Sequence, residues 1–469
     1  MREDKKYDAI FIGSSLLSLA AAVALAKKGK AVALVGRPDA LASRAPGPTF
    51  HFGVGPFLYL GFEEGGAVEG FFAELALPIP TLKKKGFSYK KNIPYLQLVQ
   101  AHHRIDLHSQ KEDYLDELKR EFGNQLQPIK GFLEAIEKEE QLLYPYLGKF
   151  SQMELYGLGD RFNAWKQKLQ FLQAVRNHRK KSATEFLAPF PFNADFNEYL
   201  NLLSLCAFRK PLSGISSYDL ILMMSGLQKG GVRMIGGYFT LFNFFQKLIR
   251  ECGGEIIESR KVTRVELAGK KAERLVLEDG ARLSGQYWVI TQSPGESVIT
   301  FYFTIRKEWI PSPMRENILM TWGEEVPPDV EDILMLRLSL PEEEKDFPPG
   351  CRGLTVTCLI RAGASVDESR LEELKERILS RLHWLIPFSK AEIKEITLSS
   401  VGEEPFFPSE IEKSWGENAK KFSKGALGYL QPKEVKNVFM LSSDLSEHLG
   451  WGSTFVAAMA LTNLIEGNR

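Results

Sequence analysis

The residues best placed to do chemistry lie in the turn Gly13-Ser14-Ser15-Leu16-Leu17-Ser18. Gly13, Ser15 and Ser18 stand at the spacing of a GxGxxG turn. The turn follows an apolar run at 7–12 and opens an Ala- and Leu-rich run that stops at Gly29; a second apolar run extends from Ala31 to Val35. That order reads as strand, turn, helix, strand, and such a turn sets backbone N–H groups and the positive end of a helix against a pyrophosphate. Ser18 is small enough for close helix-strand packing. Ser15 adds a β-carbon where the backbone should approach phosphate, though its hydroxyl could donate to a phosphate oxygen in return. Gly36 occupies the place at the end of the second strand where a carboxylate would hold a ribose. A neighbour such as Arg37 or Asp39 would then have to supply that contact, and Arg37 would favour a 2′-phosphate, making NADPH a minor alternative ligand.

The elements around this turn follow from composition and periodicity. Residues Ala9 to Ala26 carry no charge and follow Arg2, Lys5 and Lys6, a pattern that also suits a secretory signal or membrane anchor. The Gly-Ser-Ser turn breaks the run, and it leads straight into a second strand, so the chain is expected to be soluble, cytoplasmic and mature from its first residue. At 469 residues it should form two domains. Sixty basic against 59 acidic residues leave a formal charge of +1, which gives no general reason to expect nucleic acid as a partner. Four widely spaced cysteines without a CxxC pair suit free thiols in a reducing compartment. Seven histidines make no metal-ligand pattern, and no metal is expected.

Further along, Phe50 and Phe52 alternate as on a strand before the Gly55-Pro56 turn, and an acidic amphipathic stretch runs from Glu112 to Glu140. A third block predicts a helix from about Tyr238 to Cys252, a strand Glu255 to Ile257, a hairpin-like pair at 261–267 and 273–277, and a closing strand Tyr287 to Ile290. Residues 300–430 read as β-rich with one amphipathic helix, Glu368 to Leu385. The chain closes on an apolar strand, a turn carrying Asp444, a GxG at Gly450 and Gly452 flanking Trp451, and a small-residue helix. Nucleotide-domain pieces at 1–62, 230–300 and 431–469 are thus separated by two insertions, 63–229 and 301–430, which make up a substrate or partner domain.

This order of blocks resembles the flavin-dependent amine oxidase and phytoene desaturase superfamily, whose relatives include the flavin-free Rab GDP-dissociation inhibitors. The resemblance covers the first 60 residues, the block from Gly230 to Pro294 and the last 35 or so. It implies an α/β fold: a discontinuous Rossmann-like FAD/NAD(P)-binding domain with an inserted α+β substrate domain. It also implies FAD as cofactor, held through Gly13, Ser14, Ser15 and Ser18 at the pyrophosphate, with Arg37 as a neighbour at the ribose. Arg44 would contact the pyrophosphate and Gly55 the flavin side; the backbone at Val262 would contact adenine. Asp444 would hold the ribitol, with Gly450, Trp451 and Gly452 beside the ring. The sequence departs from the family at Ser15, Ser18, Gly36, Ala42, Ser43 and Ser443.

Catalytic residues remain unassigned, since no GxSxG, Cys/His pair or metal-ligand pair stands out; that suits an enzyme whose cofactor carries the redox step. His448 and Trp451 are the distinctive side chains expected near the ring, and a packed helix start accounts for them equally well. Residues 161–181 carry seven Lys or Arg and no acid, so either peripheral contact with an anionic membrane or an ordinary basic surface helix fits. Residues 186–208 and 218–227 would line a lipophilic tunnel or form ordinary core. Two functions follow. One is an FAD-dependent oxidoreductase resembling phytoene desaturase, passing a hydride between an apolar, isoprenoid or lipid-like small-molecule substrate and flavin. The other is a flavin-free pseudoenzyme of the same fold that binds or escorts an apolar ligand or a protein partner.

Overall fold

The computed structural model describes residues 6–13, 15–36, 59–91, 94–143, 173–258, 261–292, 297–321, 330–360, 367–389, 394–398, 409–424, 427–442 and 452–467. A nine-stranded sheet gathers strands from the start, middle and end of the chain. Its parallel centre runs, in spatial order, Val438–Ser442, Arg282–Gln292, Lys6–Ile12, Val32–Gly36 and Glu255–Glu258. Lys6–Ile12, Val32–Gly36 and Val438–Ser442 carry apolar runs because both faces are covered there. Ala9, Phe11, Val32, Leu34, Phe439 and Leu441 face one side, while Ile10, Ile12, Ala33, Val35, Val438 and Met440 face the other.

The first face is covered by helices Leu16–Lys27, Gly237–Glu251 and Ser453–Gly467. Leu16 through Ala26 are all buried, so this helix has no solvent stripe; its alanines let the last helix lie close against it. The opposite face carries the hairpin Val262–Ala268 and Lys271–Leu277 and the helix Ser409–Glu417, whose Trp415 joins its core. Fully buried Trp288 fastens the hairpin by donating its indole N–H to Ala272 O at 3.0 Å. Strands Ala419–Lys424 and Leu427–Pro432, which the sequence placed in the second insertion, extend this sheet antiparallel beyond Val438–Ser442. Backbone pairing with a strand later in the chain decides their allegiance, and their own residues carry no mark of it.

A seven-stranded, mostly antiparallel sheet is built from Leu96–Val99, Arg104–Leu107, Ser297–Arg306, Asn317–Thr321, Ile333–Leu338, Cys351–Ile360 and Lys394–Leu398. Alternation sorts Leu319 and Ile333 to a face packed by helices, and Met320 and Leu334 to the face of helix Glu368–Leu385. The predicted stretch Glu112–Glu140 is two helices, Lys111–Phe122 and Leu126–Leu143, separated at Gly123–Gln125. Helices Ala194–Phe208 and Ser217–Lys229 pack on the same side, and their apolar residues form core there. Cys358 is buried, Cys206, Cys252 and Cys351 are half-buried, and all four are free thiols. Among the described residues no helix is long and apolar enough to cross a membrane.

Candidate functional site

The parallel strands end together at Ser442, Gln292, Ile12, Gly36 and Glu258. From Lys6–Ile12 the chain winds outward through Val32–Gly36 on one side, while Arg282–Gln292 flanks it on the other, so the strand order reverses there. Open α/β sheets bind ligands in the crevice at that reversal.

Gly13 leaves the first strand at the crevice with φ +104°, and its N–H donates to Val35 O at 2.9 Å. A β-carbon there would lie 2.7 Å from Thr291 Oγ1 and 3.0 Å from Thr291 O, so the turn is pressed against the neighbouring strand and only glycine fits. Ser15 then caps helix Leu16–Lys27: its Oγ accepts the Ser18 N–H at 3.2 Å. The hydroxyls form a directed chain. Ser15 donates to Ser18 Oγ at 3.3 Å, Ser18 meets Thr291 Oγ1 at 2.7 Å, and Thr291 donates to Ile12 O at 3.3 Å. Ser18 is fully buried, yet its hydroxyl is satisfied, and it fills the third glycine position without separating helix from strand.

The Ser15 hydroxyl is turned toward Ser18 Oγ at 3.3 Å, so a phosphate would have to compete with Ser18 for its hydrogen. The donors left for an anion are the first-turn N–H groups of Leu16 and Leu17, which have no carbonyl partner inside a helix. No acidic residue occupies this first turn, so none of the helix's own first-turn side chains offsets its positive end.

Of the other expected cofactor residues, Val262 is buried at the start of its hairpin strand, on the sheet face opposite the helix. Gly452 is buried at the start of the last helix, where a β-carbon would lie 3.3 Å from Ala67 Cβ; helix Ala67–Glu74 passes close by, and Phe455 packs on Phe71 at 5.0 Å between centroids. Ser14, Arg37, Asp39, Arg44, Gly55, Asp444, His448, Gly450 and Trp451 lie outside the described residues, as does 161–172 of the basic stretch. The structure brings Gly13, Ser15 and Ser18 together at the crevice.

Several residues at or near the site went unmarked in the sequence. Thr291 is one, recognisable only through its neighbour Gly13. Glu258 is another: it pairs in register with Gly36 across the sheet. A third group ties the short strand Val232–Met234 to the seven-stranded sheet. Buried Arg233, on the short strand Val232–Met234, reaches Glu343 Oε2 at 3.2 Å, and Arg337 lies 3.5 Å from Glu343 Oε1. Glu343 also accepts N–H groups from Gly236 at 2.8 Å and Leu340 at 2.7 Å. Burial by itself would raise the Glu343 carboxyl. The charges of Arg233 and Arg337 and the two N–H groups outweigh burial and hold it below the ordinary carboxylate range. Burial pulls the Arg233 guanidinium down, against the Glu343 charge. Arg233 Nε and Nη1 have no partner among the described residues. An Arg within the run GGVRMIGG, surrounded by small and apolar residues, was the available signal.

No protein-family model matches the chain, and no curated protein matches its sequence. Solved structures do match its fold. An oxidoreductase from Methanosarcina mazei superposes with a TM-score of 0.60 at 12% identity, over 98% of this chain and 100% of that one. Cyclohexylamine oxidase from Brevibacterium oxydans gives 0.56 at 14% identity over 99% and 100%, and a Rab GDI from Plasmodium falciparum gives 0.54 at 10% over 98% of each. The chain therefore has the mixed α/β fold that these amine-oxidase-like and GDI-like proteins share.

Proposed function

We propose that the chain is a flavin-dependent oxidoreductase that seats the FAD pyrophosphate on the N-terminus of helix Leu16–Lys27 and passes a hydride between FAD and an apolar substrate. The observation that carries this is the crevice itself: a helix start with no acid in its first turn, at the reversal of strand order, behind a glycine that no other residue could replace. Bound there, FAD would supply the redox centre. The chain's residues do the rest. Leu16 and Leu17 N–H groups would hold phosphate oxygens, and the Ser15–Ser18–Thr291 hydroxyl chain fixes the helix against the strand so that those donors keep one direction. By the family resemblance, Arg44 would add a charged donor to the pyrophosphate and Asp444 an acceptor for ribitol.

The fold likeness to amine oxidases supports a flavin oxidoreductase in general; an isoprenoid or lipid-like substrate is the finer reading, supported by the resemblance to phytoene desaturases. Purified protein reconstituted with FAD should retain flavin absorbance through gel filtration. A protein that stays colourless would remove the enzyme reading. Two observations favour the alternative, a flavin-free binder of an apolar ligand or partner protein: the inward Ser15 hydroxyl and the missing carboxylate at Gly36 both subtract contacts from the cofactor.

A further inference from the structure

Gly36 has no side chain with which to hold a ribose, yet a carboxylate stands beside it. In the parallel pairing of Val32–Gly36 with Glu255–Glu258, Gly36 is the Cα partner of Glu258. Residues paired across a sheet project to the same face. Ile256, two residues earlier, packs into the core beneath helices Leu16–Lys27 and Gly237–Glu251, so Glu258 belongs to that face too. The hydrogen bond from Arg250 Nη2, on helix Gly237–Glu251, to Glu258 Oε1 at 2.8 Å agrees with this. The helix N-terminus that would hold the pyrophosphate lies on the same face and at the same ends of the strands. The second carboxylate oxygen, Oε2, bonds no described residue, and the Glu258 side chain is half exposed.

Resting on the flavin reading, we propose that Glu258 is the ribose-binding carboxylate of this protein, moved one strand outward from its place at the end of the second strand. Adjacent strands are about 4.8 Å apart, a step comparable to the length of a glutamate side chain, so a carboxylate on the neighbouring strand can reach the place that a side chain at position 36 would occupy. Arg250 orients the carboxylate through Oε1, and Oε2 accepts the ribose hydroxyl. The same charge repels a 2′-phosphate, so the site selects an unphosphorylated adenosine ribose and rejects NADPH.

The test compares wild type, Glu258→Gln, Arg250→Gln and the double variant Glu258→Gln with Gly36→Glu. Each is titrated calorimetrically with FAD, ADP, 2′,3′-dideoxy-ADP, 2′-phospho-ADP and FMN. Glu258→Gln should weaken FAD and ADP about tenfold and leave FMN unchanged, because a hydrogen bond to a charged group is lost only at the adenosine end. Wild type should prefer ADP over its dideoxy and 2′-phospho analogues, and Glu258→Gln should lose both preferences. Gly36→Glu should restore them in the double variant, whereas Arg250→Gln should largely keep them. A merely structural Glu258 would shift all adenosine ligands alike and leave the preferences intact, which overturns the proposal. Wild type that binds FAD with Glu258→Gln indistinguishable from it removes this inference alone; wild type that binds neither FAD nor ADP removes the flavin reading with it.

Discussion

Two helices on the same face of the large sheet begin in opposite ways. The N-terminus of Gly237–Glu251 is closed by the chain's own carboxylate: Glu343, from the segment that follows strand Ile333–Leu338, accepts the Gly236 N–H and is bracketed by Arg233 and Arg337. Among the described residues, the N-terminus of Leu16–Lys27 carries the Ser15 hydroxyl as its cap and has no acid in its first turn. Both ends have the same partial positive charge. The protein sets its own carboxylate at one, beside the seven-stranded sheet, and the proposed function places the cofactor's phosphates at the other. A closed end serves stability; the end at the strand-order reversal is the one that the proposed function uses.

That contrast can be broken most forcefully at the closed end. Glu343→Gln leaves two buried guanidinium groups without their counter-charge, and urea unfolding should show a loss of about 3 to 5 kcal/mol, with little direct effect on FAD affinity in the protein that remains folded. The same carboxylate governs the acid limb of stability. Its folded pKa lies below the unfolded value, so its contribution is present above the ordinary carboxylate range and is lost as pH falls through the lower folded value. This part of the wild-type urea midpoint should be lost only as pH falls below about 5, and Glu343→Gln should lack that part of the fall.

At the open end, Gly13→Ala combines a left-handed φ with a β-carbon 2.7 Å from Thr291 Oγ1. It should cost about 1 to 3 kcal/mol in denaturant titrations and abolish FAD retention, the reverse of the Glu343 signature. Ser15→Asp converts the open end into a closed one. Aspartate caps as well as serine, so thermal stability should hold, while a negative charge beside the pyrophosphate should weaken FAD binding about tenfold. Ser15→Gly, which loses only a few tenths of a kcal/mol of cap energy, should leave FAD affinity equal to or tighter than wild type. Unchanged binding in Ser15→Asp would mean that no anion sits on this helix. The smallest effect is expected far from either end: Lys28 and Glu466 pair at 2.6 Å, both about one-third exposed, and Lys28→Ala should cost under about 1 kcal/mol and leave FAD binding unaltered.

Much of the site was readable where neighbours in sequence are neighbours in space. The apolar run, the small-residue turn and the alanine-rich helix are one local unit, and its strand and helix fall at Lys6–Ile12 and Leu16–Lys27. Helix Glu368–Leu385 likewise carries its whole signal in its own periodicity. The direction of the Ser15 hydroxyl was not readable, because it depends on Thr291 across the sheet. Nor was the membership of Ala419–Lys424, an edge strand whose partners alone define it.

The sequence by itself determined which segments become buried strands and which become helices, because side-chain period and turn chemistry act over a few residues and need no distant partner. It also set a glycine and small residues directly after the first strand. Only the tertiary structure decided what stands beside those residues. The pairing of Gly36 with Glu258, the pressing of Gly13 against Thr291 and the closure of one helix end by Glu343 all join positions far apart in the chain. Hydrogen-bond register and helix packing set these contacts, and both are settled only when the sheet assembles as a whole.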